Sequence, residues 1–275
     1  MIRMVFALRR KSGMSVQDFQ EHLVRKYGPL MASFGDVLGA RKYVQSVTLD
    51  GDPAHAGWIE SHQQLIDERS GGGSEMEPSY DAVSEVWWDT LDKLSATLSS
   101  SEGKAAWAAL LAEEQKFIDH ANSPLWLAHE YPQVNSLPEN LVARPLSNLV
   151  KLVMALRHPT SMSLEEAQHH ALAYHGPVFR NSVTGMGSVQ RYFQVHRFEH
   201  ELADQLRQAR GTKAEPYMYV AELWFPRGVA GEATSEGADV DRIIKADLRK
   251  FLDLERSAIQ FTKERVFIDH VLCEI

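Results

Sequence analysis

Residues 4–31 (MVFALRRKSGMSVQDFQEHLVRKYGPLM) and 152–179 (LVMALRHPTSMSLEEAQHHALAYHGPVF) carry one pattern twice, at a constant offset of 148. Identical residues fall at Val5/Val153, Ala7/Ala155, Leu8/Leu156, Arg9/Arg157, Met14/Met162, Ser15/Ser163, Gln20/Gln168, His22/His170, Gly28/Gly176 and Pro29/Pro177, ten of 28 ungapped positions. With a one-residue slip, Arg41–Gln45 lies on the stretch Val189–Gln194, so that Tyr43 meets Tyr192. Further on, YDAVSEVWW (80–88) lies on YMYVAELWF (217–225). Two copies indicate a fused pair of domains, because a solenoid needs about three or more units. The division falls as 1–135 and 146–275, joined by a polar stretch near 133–147 that carries two prolines.

Each copy reads β-α-β-β-α-β. The openings Ile2–Leu8 and Leu149–Leu156 are apolar and β-rich. Ser15 stands three residues before Asp18, and Ser163 three before Glu166, so each helix opens on a capping-box spacing, with Asp the weaker partner. Apolar residues then recur every three or four positions (Val16, Phe19, Leu23, Tyr27; Leu164, Ala167, Ala171, with His175 at the last place), which aims one helix face at a sheet. Gly28-Pro29 and Gly176-Pro177 are expected to stop these helices. Second strands are expected at 40–48 and 188–197, third strands at 80–88 and 217–225, and fourth strands at 124–131 and 265–272. Helices are expected over 90–98, 103–118 and about 239–262. The connections 49–79 and 198–216 are long enough to suggest lids. The first holds Gly71-Gly72-Gly73-Ser74, expected to be mobile, and His55, Trp58 and His62, read as loop packing.

The chain has 275 residues, 44% hydrophobic and 24% charged, which is the balance of a globular, water-soluble protein. A formal charge of −8 disfavours nucleic acid, whose binding needs a clustered basic face. No 18-residue apolar run offers a membrane span. The lone cysteine, Cys273, cannot form an internal disulfide, so a cytoplasmic protein is expected. His196-Arg-Phe-Glu199-His200 spells H-x-x-E-H, but zinc chemistry needs both histidines on one helix face and His196 ends an expected strand. No metal site is assigned, and no cofactor motif is present.

The element order is that of a ferredoxin-like unit. The residues filling it, AYHGPV (173–178), QRYFQVH (190–196), YDAVSEVWW (80–88) and EEQKFIDHANSPLWLAHEY (113–131), resemble the EthD family of the dimeric α+β-barrel superfamily. The resemblance covers nearly the whole chain. It implies an α+β fold in which tandem ferredoxin-like units form a pseudo-dimeric α+β barrel, as a monomer or a further homodimer. Closing two sheets on each other removes their edge strands.

Where the copies differ, chemistry is sought. His175 faces Tyr27 in the first copy, and an imidazole on that helix face can exchange protons near neutral pH. The resemblance places the family histidine there too. His196 faces Val47 and shares a strand face with Tyr192, four residues away. These three are the expected catalytic residues. Arg180, opposite Ala32, can grip a carboxylate. Arg180, His170 and Tyr27 are the expected substrate contacts. Trp87, Trp88, Trp107, Trp126 and Trp224 read as core.

The resemblance implies small aromatic, lactone or polyketide-like substrates of aromatic-compound catabolism or secondary pathways. The expected activity is a cofactor-independent lyase or isomerase acting by proton transfer: decarboxylation, cyclisation or lactone isomerisation. The alternatives are a cofactor-free monooxygenase of an electron-rich ring and a non-catalytic small-molecule binder. Superfamily analogy adds haem, with His175 as its ligand.

Overall fold

A computed structural model describes residues 1–49, 60, 62–67, 74–135, 141–183, 189–227 and 235–271. His55, Trp58, Gly71–Gly73 and Cys273 lie outside the described residues. The first half of the chain contributes β1 (Ile2–Leu8), β2 (Lys42–Thr48), β3 (Ala82–Trp88) and β4 (Leu125–Asn135). The second contributes β5 (Leu149–Arg157), β6 (Arg191–Phe198), β7 (Tyr219–Pro226) and β8 (Asp253–Asp269). All neighbours are antiparallel and close into a barrel in the order β1-β3-β2-β8-β5-β7-β6-β4. Each half supplies four consecutive staves. The β2–β8 and β4–β6 seams join the halves, so the expected pseudo-dimeric α+β barrel is the fold observed.

The helices lie outside. In the first half they are α1 (Val16–His22), α2 (Gly28–Ser33), α3 (Leu91–Ser99) and α4 (Ser101–Glu114). In the second they are α5 (Leu164–His170), α6 (Gly176–Val183), α7 (Glu201–Arg210) and α8 (Ser235–Phe251). Strand alternation sends one side-chain set to the helices and the other into the lumen. Three cores result: a helix–sheet core in each half and a lumen core around Val5, Val153, Trp126 and Trp224. All five tryptophans read as core are buried. Ser163 and Glu166 make the complete capping box, whereas Asp18 only lends its backbone N–H and carboxylate to Ser15.

Four expectations are corrected. Gly28-Pro29 and Gly176-Pro177 do not stop their helices. A π-helical turn, Leu23–Tyr27 or Ala171–His175, links α1 to α2 and α5 to α6, with Gly28 and Gly176 both in right-handed helical conformation. The Gly28 N–H bonds to Leu23 O and the Gly176 N–H to Ala171 O, so the wider turn carries the chain past the proline, which lacks a donor, into a new helical segment. The helix expected over 239–262 ends at Phe251, and the strand expected at 265–272 begins at Asp253. That strand is long because its first part pairs with β5 and its second with β2. In the same way β4 continues past 131 to Asn135, pairing first with β1 and then with β6, with Pro132 at a register shift. Finally, the connection 198–216 is not irregular; it holds α7.

The long connections are exchanged between the halves. Leu202, Ala203 and Leu206 of α7 pack in the first half's core, and Leu65 and Ile66 of the first half pack in the second half's core.

Candidate active site

The second half's helix–sheet core encloses a cavity of about 80 Å³. Met154, Leu156, Ala221 and Leu223 give it an apolar sheet wall, Ile244 and Leu248 an apolar helix wall. Its polar side chains are His175, Tyr192, Tyr219, Lys245 and His62. His62 arrives from the first half and is buried, so it belongs to the cavity rather than to loop packing.

The π turn sets His175 against the sheet, buried, with its Nδ1 3.0 Å from Asp247 Oδ2. The other carboxylate oxygen, Oδ1, takes His170 Nε2 at 3.1 Å and Lys250 Nζ at 3.1 Å. Burial acts to raise the Asp247 carboxyl, but hydrogen bonds from His175, His170 and Lys250 hold it well below the usual carboxylate range. An ionised acceptor requires a proton on His175 Nδ1, which leaves Nε2 as the basic nitrogen. Phe251 packs on both imidazoles, 5.3 Å from His175 and 4.7 Å from His170 between centroids.

Tyr219 has a fully buried hydroxyl with no hydrogen-bond partner among the described residues, and burial pushes its phenol well above the usual range. A buried orphan donor is costly unless something bonds to it. Tyr192 is also neutral, its phenol raised by burial against a smaller opposing effect of Gln194. Its oxygen accepts from Gln194 Nε2 at 2.9 Å, and the same amide donates to Ala171 O, the carbonyl at the start of the π turn, at 2.9 Å. The first half repeats this arrangement, Gln45 Nε2 donating to Tyr43 Oη at 2.7 Å and Leu23 O at 3.0 Å. The Tyr–Gln pair therefore anchors the π turn in both halves.

His196 lies on the same β6 face as Tyr192 but outside the cavity wall. Its Nε2 donates to Gln194 Oε1 at 2.9 Å, its ring stacks 5.0 Å from Tyr219, and its Nδ1 has no partner among the described residues. Burial pushes its pKa down to about 3, so it is neutral. Arg180 is half-buried and donates to Gln133 Oε1 at 2.6 Å, toward the β4–β6 seam rather than the cavity. His170 does not line the cavity and reaches His175 through Asp247 and the shared Phe251 ring. Tyr27 sits in the other half, donating to Glu114 Oε1 at 2.6 Å.

That first-half position is closed. Arg210 of α7 forks onto Glu114 with Nε and Nη2 both at 2.8 Å, and His120 Nε2 bonds Oε2 at 3.1 Å. Burial opposes ionisation of Glu114, yet the Arg210 charge and these bonds hold its pKa at about 2.

The zinc-peptidase spelling dissolves in the fold. His196 is a strand residue, Glu199 pairs with Arg197, and His200 Nδ1 caps α7 through the Leu202 N–H. Among the described residues no group of three or more His, Cys, Asp or Glu side chains could hold a metal ion, and no helix is long and apolar enough to cross a membrane.

Asp247 and Tyr219 were missed from the sequence. One signal was present: Glu113 precedes Phe117 by four residues, as Asp247 precedes Phe251. The contact His22 Nε2–Glu113 Oε1 at 2.7 Å is the first-half counterpart of His170–Asp247.

A family model described as the EthD domain matches residues 11–121 and 159–255. No curated protein matches the sequence significantly. Among solved structures, an anthrone oxidase-like protein aligns with a TM-score of 0.56 at 7% identity, over 98% of this chain and 94% of that one. A DyP-type peroxidase from Streptomyces coelicolor aligns with a TM-score of 0.40 at 12% identity, over 96% of this chain and 88% of that one. At 7% identity the likeness to the anthrone oxidase-like protein is one of fold.

Proposed function

This chain belongs to the EthD family, and from that premise we propose that it is a cofactor-independent proton-transfer enzyme for small aromatic, lactone or polyketide-like compounds. The observation that carries the reading is the His175–Asp247 pair at the wall of an apolar cavity, present in one half and replaced by a closed Tyr27–Glu114 pair in the other. In this reading His175 Nε2 removes a proton from an acidic C–H or a phenolic O–H. Asp247 steadies the imidazolium that forms. Tyr219, and Tyr192 with the proton its oxygen does not spend on Gln194, donate to the substrate oxygen as it gains charge. His170 and Lys250 position Asp247. His196, neutral and tied to Gln194, supports the wall rather than exchanging protons.

Return of the proton to another carbon isomerises the substrate; where that carbon is conjugated to or bears a carboxylate, the protonated intermediate loses carbon dioxide and the C–C electron pair flows back to the substrate oxygen, which decarboxylates it. A second reading shares the first step. Dioxygen then takes the electrons of the carbanion, one oxygen atom entering the substrate as a carbonyl and the other leaving as water. The likeness of fold to an anthrone oxidase-like protein favours including it.

The cavity of about 80 Å³ is smaller than the roughly 150 Å³ that holds benzene in an engineered protein core. Entry of a ring therefore requires the cavity to widen. A porphyrin has no room in that volume, although a histidine with a carboxylate on Nδ1 and a free Nε2 is otherwise suited to ligate iron.

Incubating aromatic acids, lactones and phenolic ketones with the protein in deuterium oxide, with mass spectrometry and an oxygen electrode, tests this. Deuterium incorporation or turnover by wild type, lowered about 10²–10⁴-fold in His175→Phe, is the expected result. Oxygen uptake would select the oxygenase branch. Equal turnover by the variant, or tight binding without exchange, would sink the proposal.

A further inference from the structure

The first half gives the His175 cavity a titratable group that the proton transfer described above does not use. Residues 62–67 are helical, with His62, Leu65 and Ile66 buried and Gln64 and Asp67 exposed. Positions i, i+3 and i+4 share one helix face. Leu65 and Ile66 pack in the second half's core, and so hold His62 at the wall of the cavity that His175, Tyr192 and Tyr219 also line.

The other half shows what an exchanged helix can do. α7 crosses over from the second half, packs Leu202, Ala203 and Leu206 in the first half's core, and sets Arg210 on Glu114. Arg210 closes that position. His62 instead stands beside a volume of about 80 Å³. Each exchanged helix thus brings one polar side chain to the opposite half: a permanently charged guanidinium where the position is sealed, and a titratable imidazole where it is hollow.

Packing alone does not call for an imidazole at this place. Met154, Leu156, Ala221, Leu223, Ile244 and Leu248 make the surrounding wall apolar. A leucine would extend that wall without the desolvation cost of a polar ring. The cavity must widen to admit a ring, so a bound ring is in contact with every wall and reaches His62 as well as His175.

We propose that His62 is a second catalytic residue of this site, the acid that completes the proton transfer His175 begins; the assignment rests on the reading of His175 as the base. His175 Nε2 takes a proton from one carbon, and the C–H electron pair enters the conjugated system of the substrate. The His62 imidazolium gives a proton to a second carbon, where that pair forms the new C–H bond. No electron leaves the substrate. The proton gained by one imidazole and the proton lost by the other are balanced through solvent before the next turnover. Decarboxylation uses the same delivered proton before carbon dioxide departs. The first copy, sealed at its own position, thereby supplies a working group to the second.

Exchange and turnover, measured separately on the full chain in deuterium oxide, distinguish the two roles. With aromatic acids, lactones and phenolic ketones as probes, wild type is expected to exchange the acidic C–H and to form product. His62→Phe is expected to keep the exchange, which needs His175 alone, and to form product about 10²-fold or more slowly; His175→Phe is expected to lose both. His62→Gln keeps a polar side chain but has no acidic proton to give, so it should behave as His62→Phe does, and it decides alone if His62→Phe fails to fold. Product formation by His62→Gln at the wild-type rate would overturn the assignment and leave His175 as the base. Equal loss of exchange and product in His62→Gln would also overturn it, since a wall residue that only shapes the cavity acts on both. Absence of exchange and of turnover in wild type would sink the reading of His175 itself, and the role of His62 with it.

Discussion

Asp247 Oδ2 holds His175 Nδ1 at 3.0 Å across 72 residues of sequence, joining the end of a π turn to the last turn of α8. In the other half Glu114 holds the Tyr27 hydroxyl at 2.6 Å. The two halves thus keep one geometric idea, a carboxylate behind the residue before Gly-Pro, and differ in what it controls. A phenol donating to a carboxylate that Arg210 already grips has nothing to exchange. An imidazole donating to a carboxylate keeps a second, basic nitrogen.

Replacing Asp247 by Asn removes the charge while keeping the shape. If His175 is the base, turnover of an identified substrate falls about 10- to 100-fold, with the loss in kcat and KM little changed. His170→Gln, which removes one bond to Asp247, lowers it less. A change confined to KM, or none, would show that the carboxylate does not orient the base.

His196 makes stability depend on pH in a stated direction. Its folded pKa of about 3 lies below the ordinary value of 6.5, so between those values the unfolded chain binds a proton that the folded chain refuses. Its neutral form is accommodated in full above pH 6.5, and stability is lost as pH falls from there toward 3. The slope is about 1.4 kcal/mol per pH unit within that window. Chemical unfolding of His196→Phe across pH 7 to about 4 is expected to lack this slope; an unchanged slope would mean that the imidazole protonates in the folded state.

Local chemistry was legible in the sequence, partner-dependent structure less so. The repeat at offset 148, the Ser15 and Ser163 caps and the strand openings follow from neighbours a few residues apart. The helical course of Gly28 and Gly176 was not legible, because Gln45 and Gln194 anchor the π turns from another element. The extent of β8 is set by β5 and β2, which present staves for it to join. Arg3 and Lys151 sit inside runs that read as apolar strands, and only the glutamates opposite explain their burial. His175 and His196 were selected by comparing copies, and Tyr192 by sharing a strand face with His196. Asp247 escaped because its helix was expected to run on to 262, and Tyr219 because nothing in a strand sequence reveals an unbonded hydroxyl.

Glu114 and Arg210 should behave as a buried pair. Glu114→Gln leaves the Arg210 guanidinium buried opposite a neutral amide, and a loss of about 3–5 kcal/mol is expected in urea unfolding. Glu114→Leu with Arg210→Met recovers much of it, since apolar replacements fill the space without a stranded charge. With Glu114 depressed from 4.5 to about 2, its contribution is present above pH 4.5 and lost as pH falls toward 2. Additive losses in the double variant would deny the coupling.

Equivalent glycines should respond unequally. A Cβ at Gly28 runs into the ring of Phe267, a packed aromatic; at Gly176 it meets the amide end of Gln133, a long and half-buried side chain that can swing aside. Gly28→Ala is expected to cost about 1–3 kcal/mol by overpacking, and Gly176→Ala less. Thermal unfolding of the two variants compares them directly, and a larger loss at Gly176 would contradict the packing described.

Neither half is expected to fold alone. Cut after residue 135, the first half loses β8 from the edge of β2 and β6 from the edge of β4, exposing two strands, together with the α7 residues Leu202, Ala203 and Leu206 from its core. The second half, 146–275, loses the same two seams and the buried Leu65 and Ile66. Lys151 would keep Glu222 but lose Glu85, and Arg3 would keep Glu85 but lose Glu222, so buried charges would be left half-satisfied. Expressed separately, the halves should aggregate or show poorly dispersed amide spectra. Mixed during refolding, they should recover a single heterodimer with a cooperative transition. A second half that folds as a monomer with native dispersion would show that the exchanged connections and seams are dispensable, and that the His175 cavity needs nothing from the first copy.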